Sequence, residues 1–251
     1  MFWLLAVGFM AFCLSHSAPF PFLLEAFAPG HSLWHVQEEP GQPPTIYLTF
    51  DDGPNPTATP ALLDVLGDAD ARATFFLIDA YVHEDTAPII RRMFEEGHGV
   101  ALHSDTRMLT FLTPEGLAAQ VTRQADRIGQ LTGRRPCPLF RPHAGWRGGP
   151  MYEGLISIDH RLVGWSWGLW DFNFYLPRDA EGLARRLARK ASAGDIIVMH
   201  DGHHRNPEAS RGYAVDATRL LAPALQARGF RLAPLCEPHA IQEPEGRQAA
   251  W

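Results

Sequence analysis

The stretch that decides the fold is residues 45–54, Thr-Ile-Tyr-Leu-Thr-Phe-Asp-Asp-Gly-Pro, an apolar run that leads into two carboxylates and a turn. Six residues rich in β-branched and aromatic side chains, bounded by turn residues, are typical of a buried strand. The strand therefore ends where Asp51 and Asp52 begin. Adjacent residues of an extended strand point to opposite faces, but the following turn can bring both carboxylates to the same rim.

Six further segments share these features of a buried strand. Together with the first, they span 45–50, 73–77, 99–102, 138–140, 161–165, 195–199 and 230–233. Between them, apolar residues recur every three or four positions, which is the pattern of a helix with one buried face. The predicted helices span 59–66, 87–96, 114–131, 179–191 and 215–228.

The helix predicted over 114–131 illustrates the pattern, because Leu117, Val121 and Ile128 fall on one face. Gly97 and Gly229 directly follow two of the helices, at the position where a left-handed residue commonly ends a helix. Alternating strands and helices predict an α/β fold, specifically a distorted (β/α) barrel with about seven parallel strands. A doubly wound open sheet is the alternative architecture.

The composition is that of an ordinary globular protein. The chain has 251 residues, of which 46% are hydrophobic and 20% charged, so it is neither disordered nor a coiled coil. Its length suits one domain, which we place at residues 40–240. The formal net charge is −6, and Lys and Arg cluster only in short runs such as Arg185-Arg186. We therefore expect no nucleic-acid partner and a neutral or polar substrate.

The N-terminal segment is a candidate export signal. Residues 1–14 are almost wholly apolar and are followed by the small residues Ser15, Ser17 and Ala18. This pattern predicts a signal peptide over residues 1–17, although basic residues are missing from its start. An uncleaved apolar stretch of this length is short for a membrane span. We expect export, with membrane or cell-envelope association. The alternative is a cytoplasmic protein with a buried or interfacial N-terminal helix.

The cysteines carry little information. Cys13 lies in the candidate signal, so only Cys137 and Cys236 remain for the folded domain. They can pair or stay free, and neither has the close spacing to a second Cys or His that structural zinc sites show. We favour two unpaired thiols that pack as small apolar groups.

Chemically active side chains follow successive predicted strands. They are Asp51 and Asp52, His103, Arg141, Asp171, and His200 with Asp201. The C-terminal ends of barrel strands meet at one rim, which is where such barrels carry their active sites. Two adjacent carboxylates resist joint ionisation unless a cation lies beside them. One carboxylate as a metal ligand and the other as a base resolves this conflict.

The ordered set of motifs resembles the polysaccharide (NodB-type) deacetylases. Thr49 to Pro54 is similar to the first motif of that family, and residues 103–104, 141–142, 171–172 and 198–201 follow in the order of the other four. The similarity extends over about residues 45–235. It implies a hydrolase that removes an acetyl or other small acyl group from an N-acylated amino sugar in a glycan or glycolipid.

The resemblance also implies a role for each residue. Asp51 is the general base, held by Arg141, and His200 is the general acid, supported by Asp171. Asp52 and His103 bind a divalent metal, for which zinc is the first candidate. The backbone N–H near Ala144 helps to hold the oxyanion, and Phe172 and Val198 line the acyl pocket.

One metal ligand of the family is missing. The fifth position of the second motif is a histidine in the family and is Arg107 here. A guanidinium has no lone pair to donate, so only two of the usual three ligands remain. Another residue can supply the third, with His143 first and His203 and His204 after it. Alternatively, Arg107 pairs with Asp52 and replaces the metal as the electrophile, or the site only binds carbohydrate.

Two rival functions stay open at this point. The first is an amidase that acts on small non-peptide C–N bonds. The second is a catalytically silent carbohydrate-binding relative, which the replacement at Arg107 motivates. Acetate release from an N-acetylated oligosaccharide, compared between the protein and an Asp51→Ala variant, discriminates between catalysis and binding.

Overall fold

A curled parallel sheet forms the centre of the molecule. The computed structural model describes residues 3, 7, 32–38, 40–168, 179–237 and 240. The strands are β1 Ser32–Leu33, β2 Thr45–Gly53, β3 Ala73–Ile78, β4 Gly99–His103, β5 Leu139–Arg141, β6 Arg161–Val163, β7 Trp167–Gly168, β8 Ile196–His200 and β9 Arg231–Leu232. Eight of them run in the order β1-β6-β5-β4-β3-β2-β8-β7, and β9 pairs with the start of β2.

The helices alternate with the strands along the chain. They are α1 Ala58–Asp68, α2 Ala87–Glu95, α3 Pro114–Thr132, α4 Gly149–Ile156, α5 Ala180–Lys190 and α6 Gly212–Gln226. Single 3₁₀ turns occupy Asp79–Tyr81, Arg107–Phe111 and His143–Gly145. Every strand pairing in the sheet is parallel. The predicted distorted (β/α) barrel is therefore confirmed.

The predicted elements agree with the observed ones to within a few residues. All seven strands and all five helices are present, and Gly97 and Gly229 have φ angles of +80° and +88°. Strands β1 and β7 were not predicted, because two residues are too few to show a period. Helix α4 was missed because it is short and begins at Gly149-Pro150, which reads as a turn.

The sheet has an apolar layer on each face. Ile46, Leu48 and Phe50 of β2 pack against the helices, in the larger cluster of buried side chains. Tyr47 of the same strand belongs to a second cluster inside the barrel, together with Phe76. All nine residues of β2 are buried. Because both faces of this central strand are buried, its sequence is a nearly continuous apolar run and does not alternate between apolar and polar residues.

The prediction of two unpaired thiols was wrong, because Cys137 and Cys236 form a disulfide with a Cα–Cα distance of 5.7 Å. The segment after β9 crosses the start of β3, where the N–H of Leu235 donates to the Thr74 hydroxyl at 2.8 Å. The two cysteines are 99 positions apart in the sequence, and the pairing of strands brings them together. Their spacing alone therefore does not predict the bond.

The predicted signal peptide, residues 1–17, lies almost entirely outside the described part of the chain. Only residues 3 and 7 of the candidate signal are described. Within the described residues, no helix combines the length and the apolar character that crossing a bilayer requires. Export and membrane association therefore stay predictions.

Loss of the disulfide should destabilise the domain. The bond closes a loop of about 100 residues, and removal of such a bond typically lowers the free energy of unfolding by about 2–5 kcal/mol. We expect the Cys137→Ala/Cys236→Ala double variant to show this loss in urea denaturation. Reductant should lower the stability of the unmodified protein by a similar amount and leave the variant unchanged. An unmodified protein that is insensitive to reductant would contradict a stabilising role for the bond.

Candidate active site

Strand periodicity brings four predicted site residues to the mouth of the barrel. Each follows an inward-facing residue by two or four positions, so its side chain points to the same face. The pairs are Tyr47 and Asp51, Ala101 and His103, Leu139 and Arg141, and Ile196 and His200. The strand register places Asp51 beside His200 and His103 beside Arg141. Four separate strands therefore contribute to one small site.

A buried ion pair lies at the centre of the site. One guanidinium nitrogen of Arg141 donates to Asp51 Oδ1 at 2.6 Å and to the Thr49 hydroxyl at 2.8 Å, and another donates to the carbonyl of Gly164 at 2.9 Å. The guanidinium carbon lies 4.0 Å from the centre of the Phe76 ring, and the side chain of Arg141 is fully buried. These contacts fix Asp51 in one position.

A break in strand β2 turns the second carboxylate toward the same cavity. The register with β3 shifts between Asp51 and Gly53, and Asp52 adopts a left-handed conformation with φ of 71°. Alternation along the strand would otherwise send Asp52 to the opposite face. Gly202 packs so closely on this bend that a Cβ there would overlap the Asp52 carbonyl group.

Asp52 and His103 face each other as two ligand atoms would. His103 Nδ1 lies 2.7 Å from the carbonyl oxygen of Arg141, so Nδ1 is the donor. In the neutral ring, the lone pair is then on Nε2, which lies 3.3 Å from Asp52 Oδ1. Two atoms that both carry lone pairs need a cation or a proton between them. Ligands of tetrahedral zinc are about 3.3 Å apart, given bonds of about 2.0–2.1 Å.

The electrostatics of this pair agree with a cation site. Burial alone would raise the pKa of Asp52, but the neighbouring His103, His200 and His143 outweigh burial and lower it. Burial would likewise lower the pKa of His103, but Asp51 and Asp52 raise it. The cavity therefore favours positive charge between these two side chains.

His143 completes a possible set of metal ligands. Ligand atoms of Asp52, His103 and His143 all lie within 4.8 Å of one another. Burial, then the charge of His103, lowers the pKa of His143 to about 3. A neutral imidazole is the form that can donate to a metal. The structure thus brings together the two ligands implied by the motifs and the first candidate for the third.

Arg107 is not one of these ligands and stacks on an aromatic ring instead. Its guanidinium lies 5.2 Å from the centre of the Trp146 ring, and its side chain is exposed. Among the described ion pairs, none joins Arg107 to Asp52, whose partner is His103. The geometry therefore gives no support to Arg107 as a replacement for the metal at Asp52.

Other predicted residues are placed with less detail. Ala144 has a left-handed conformation with φ of 54° in the turn after β5, and Val198 is buried two positions before His200. The ring of His204 lies 4.5 Å from that of His143, and the ring of His203 stacks on that of His204. Asp171 and Phe172 fall outside the described residues.

The sequence did not point to Gln124 as part of the site, and it named Asp201 only beside His200, with no role of its own. Gln124 is buried on α3, and its amide nitrogen donates to the carbonyls of Leu77 at 2.6 Å and His103 at 3.4 Å. Asp201 is buried and accepts a hydrogen bond from the Thr59 hydroxyl. Gln124 looked like an ordinary helix residue. The one signal available was an amide side chain on the buried face of a helix, where apolar side chains are expected.

Comparison with known proteins identifies the family. The polysaccharide deacetylase family model matches residues 38–153. A chitooligosaccharide deacetylase of Sinorhizobium fredii is 35% identical over 207 residues, which cover 78% of this chain and 92% of that protein. The chain belongs to the polysaccharide deacetylase family. The resemblance seen in the motifs is therefore confirmed.

Further members of the polysaccharide deacetylase family are similar over most of the chain. A peptidoglycan-N-acetylglucosamine deacetylase of Bacillus cereus is 27% identical, with 83% of this chain and 92% of that protein covered. The solved structure of the peptidoglycan deacetylase PdaC from Bacillus subtilis superposes with a TM-score of 0.65 at 29% identity, and covers 79% of this chain and 90% of that one.

Asp201 should make stability depend on pH. Burial, opposed by the Thr59 hydrogen bond, raises the pKa of Asp201 from 3.8 to about 7 in the folded protein. The folded state then binds the proton more tightly than the unfolded state, so this contribution is complete below pH 4 and is lost as the pH rises through about 7. We expect the metal-free protein to lose stability progressively between about pH 4 and pH 7 in urea denaturation.

An Asp201→Asn variant should flatten that dependence, because the amide does not ionise. Asp68→Asn is the matched control, since Asp68 is exposed on α1. Equal pH profiles for Asp201→Asn and the unmodified protein would show that Asp201 does not titrate in this range.

Proposed function

We propose that the protein is a metal-dependent carbohydrate N-deacetylase, which hydrolyses the acetamide of an N-acetylated amino sugar in a glycan. One observation carries this proposal. The buried Asp51–Arg141 pair lies beside the Asp52–His103 pair, and the register sets His200 next to Asp51. A base, a metal-ligand pair and an acid are the groups that hydrolysis of an unactivated amide requires. The named activities of the similar proteins support the same reaction.

Asp51 is suited to take the proton of the attacking water. Arg141 occupies Oδ1 of the carboxylate, so proton transfer falls to Oδ2. The bond also fixes the direction of that oxygen, because Arg141 is itself held by Thr49 and Gly164. A base held in one position loses little entropy when the water binds, which is how such a site promotes attack.

Asp52, His103 and His143 would hold the metal ion. One acid and two imidazoles are a donor set that zinc accepts, with a further position left open for water or substrate. A divalent ion bound there would polarise the acyl carbonyl and lower the pKa of the attacking water. The Arg141 carbonyl orients the His103 ring through Nδ1, and Gln124 holds the backbone of His103.

His200 is suited to protonate the departing amine. It is half-buried at the end of β8, and its strand partner is Asp51. The proposed acid and base thus come from adjacent strands. The supporting role of Asp171 and the acyl-pocket roles of Phe172 and Val198 belong to the same proposal.

Export of the protein is supported by the disulfide. Disulfides persist in oxidising compartments and are rare in the cytosol, and Cys137 and Cys236 are paired. A glycan of the cell envelope is a substrate that an exported enzyme would meet. N-terminal sequencing of protein recovered outside the cytoplasm should begin at Ala18. A full-length chain found only in the cytoplasm would overturn export.

Replacement of the base tests the proposed reaction. We expect Asp51→Asn to keep the contact with Arg141 but to lower kcat for acetate release from N-acetylated chitooligosaccharides by about 10²–10⁴-fold, because the amide cannot accept the proton. Zinc content should be unchanged. Asp68→Asn is again the control and should keep full activity. An unmodified protein that binds the oligosaccharide and releases no acetate would instead support the silent carbohydrate-binding alternative.

Replacement of His143 tests the relocated ligand. We expect His143→Ala to lower zinc affinity by at least about 100-fold, since loss of an orienting partner alone typically lowers affinity 10–100-fold. Competition with a chromogenic chelator measures the affinity, and elemental analysis should find about one zinc ion per chain. His83→Ala removes an exposed histidine and serves as the control. Unchanged affinity in His143→Ala would exclude His143 as a ligand.

A further inference from the structure

Arg107 is presented at the rim of the site on an aromatic surface. Its guanidinium carbon lies 5.2 Å from the centre of the Trp146 ring. The 3₁₀ turn that carries Arg107 is joined to Trp146 by a hydrogen bond from the Thr110 hydroxyl to the Trp146 carbonyl, at 3.3 Å. Stacking of this kind restricts the guanidinium and leaves its N–H edge available. Arg107 is therefore held in place although it is exposed.

A second arginine, Arg205, directly follows His203 and His204 in the chain. Arg205 is exposed, and its backbone N–H donates to His203 Nδ1 at 3.2 Å. The rings of His203 and His204 stack with centroids 4.5 Å apart, and His204 lies equally close to His143. Arg205 is thus linked to His143, a proposed metal ligand, through the two stacked histidine rings.

Neither cation is neutralised within the described part of the chain. No described ion pair includes Arg107 or Arg205, whereas the buried Arg141 is paired with Asp51. The acids nearest in the sequence are Asp105 for Arg107 and Glu208 for Arg205. Both are exposed, and neither is within ion-pair distance of its arginine. The other carboxylate at the rim, Asp52, faces His103. The positive charge at this rim is available to a ligand.

We propose that Arg107 and Arg205 recognise an anionic group, a carboxylate or a phosphate, on the sugar next to the N-acetylated one. The inference rests on the proposed function, and it narrows the substrate from any N-acetylated glycan to one that carries negative charge. A stacked guanidinium can bind either anion through two parallel N–H···O bonds. Arg107, which stands where the family has a metal-binding histidine, thereby acquires a role in substrate selection.

Three tetrasaccharides test the proposal with the zinc-loaded protein. They are neutral chitotetraose, an N-acetylglucosamine–N-acetylmuramic acid tetrasaccharide with free lactyl carboxylates, and chitotetraose 1-phosphate. We expect the unmodified enzyme to prefer one or both anionic substrates in kcat/KM. Arg107→Gln should reduce the ratio of anionic to neutral kcat/KM about ten-fold, which corresponds to about 1.4 kcal/mol. Arg205→Gln should reduce the same ratio, and salt at 0.5 M should reduce it in the unmodified enzyme.

The controls separate charge recognition from other effects. Arg123→Gln removes an exposed arginine on α3, away from the rim, and should leave the ratio unchanged. Arg107→Lys should recover part of the preference. A carboxylate preference and a phosphate preference each support the proposal and identify which anion is bound. Equal kcat/KM for neutral and anionic substrates, or an equal loss on all three in Arg107→Gln, would overturn it.

Failure of the proposed function would look different. In that case the unmodified enzyme would release acetate from none of the three substrates. Calorimetric binding of the same tetrasaccharides would then decide the charge assignment alone. Tighter binding of an anionic ligand that is lost in Arg107→Gln would support it, and equal binding of all three would reject it.

Discussion

The buried contact between Arg141 and Asp51 is the interaction on which the site depends. Each partner of a charged pair inside the barrel depends on the other, because removal of one partner from a buried pair destabilises a protein by about 3–5 kcal/mol. The two terminal guanidinium nitrogens of Arg141 donate to Asp51, Thr49 and Gly164, and the guanidinium lies over the Phe76 ring. The backbone carbonyl of Arg141 also orients His103. One residue thus links the proposed base to the proposed pair of metal ligands.

Periodicity made much of this arrangement predictable. Each apolar strand could be recognised from its residues, and a polar residue at its C-terminal end had to lie at the rim of a parallel barrel. Asp51, His103, Arg141 and His200 follow that rule. The order of the motifs then gave the family, which the similar proteins confirm.

What the sequence could not give depends on contacts between distant segments. The Cys137–Cys236 pairing follows from the path of the chain after β9, and no local pattern encodes that path. The break in β2 that turns Asp52 inward depends on backbone geometry at one residue. The stacking of Arg107 on Trp146 joins two loops. The sequence therefore left the role of Arg107 open. In the described part of the structure, no ion pair joins Arg107 to Asp52.

The absence of a side chain at Gly202 has a consequence for how this site can vary. Its backbone lies against the Asp52 carbonyl group, with no room for even a methyl group. Gly202 has no side chain that could contact substrate, yet replacement of Gly202 is as restricted as replacement of Asp52, whose position it supports. Among natural variants of the domain, position 202 should tolerate replacement as rarely as the proposed metal ligands do. Intolerance to replacement therefore need not mark a residue that touches substrate.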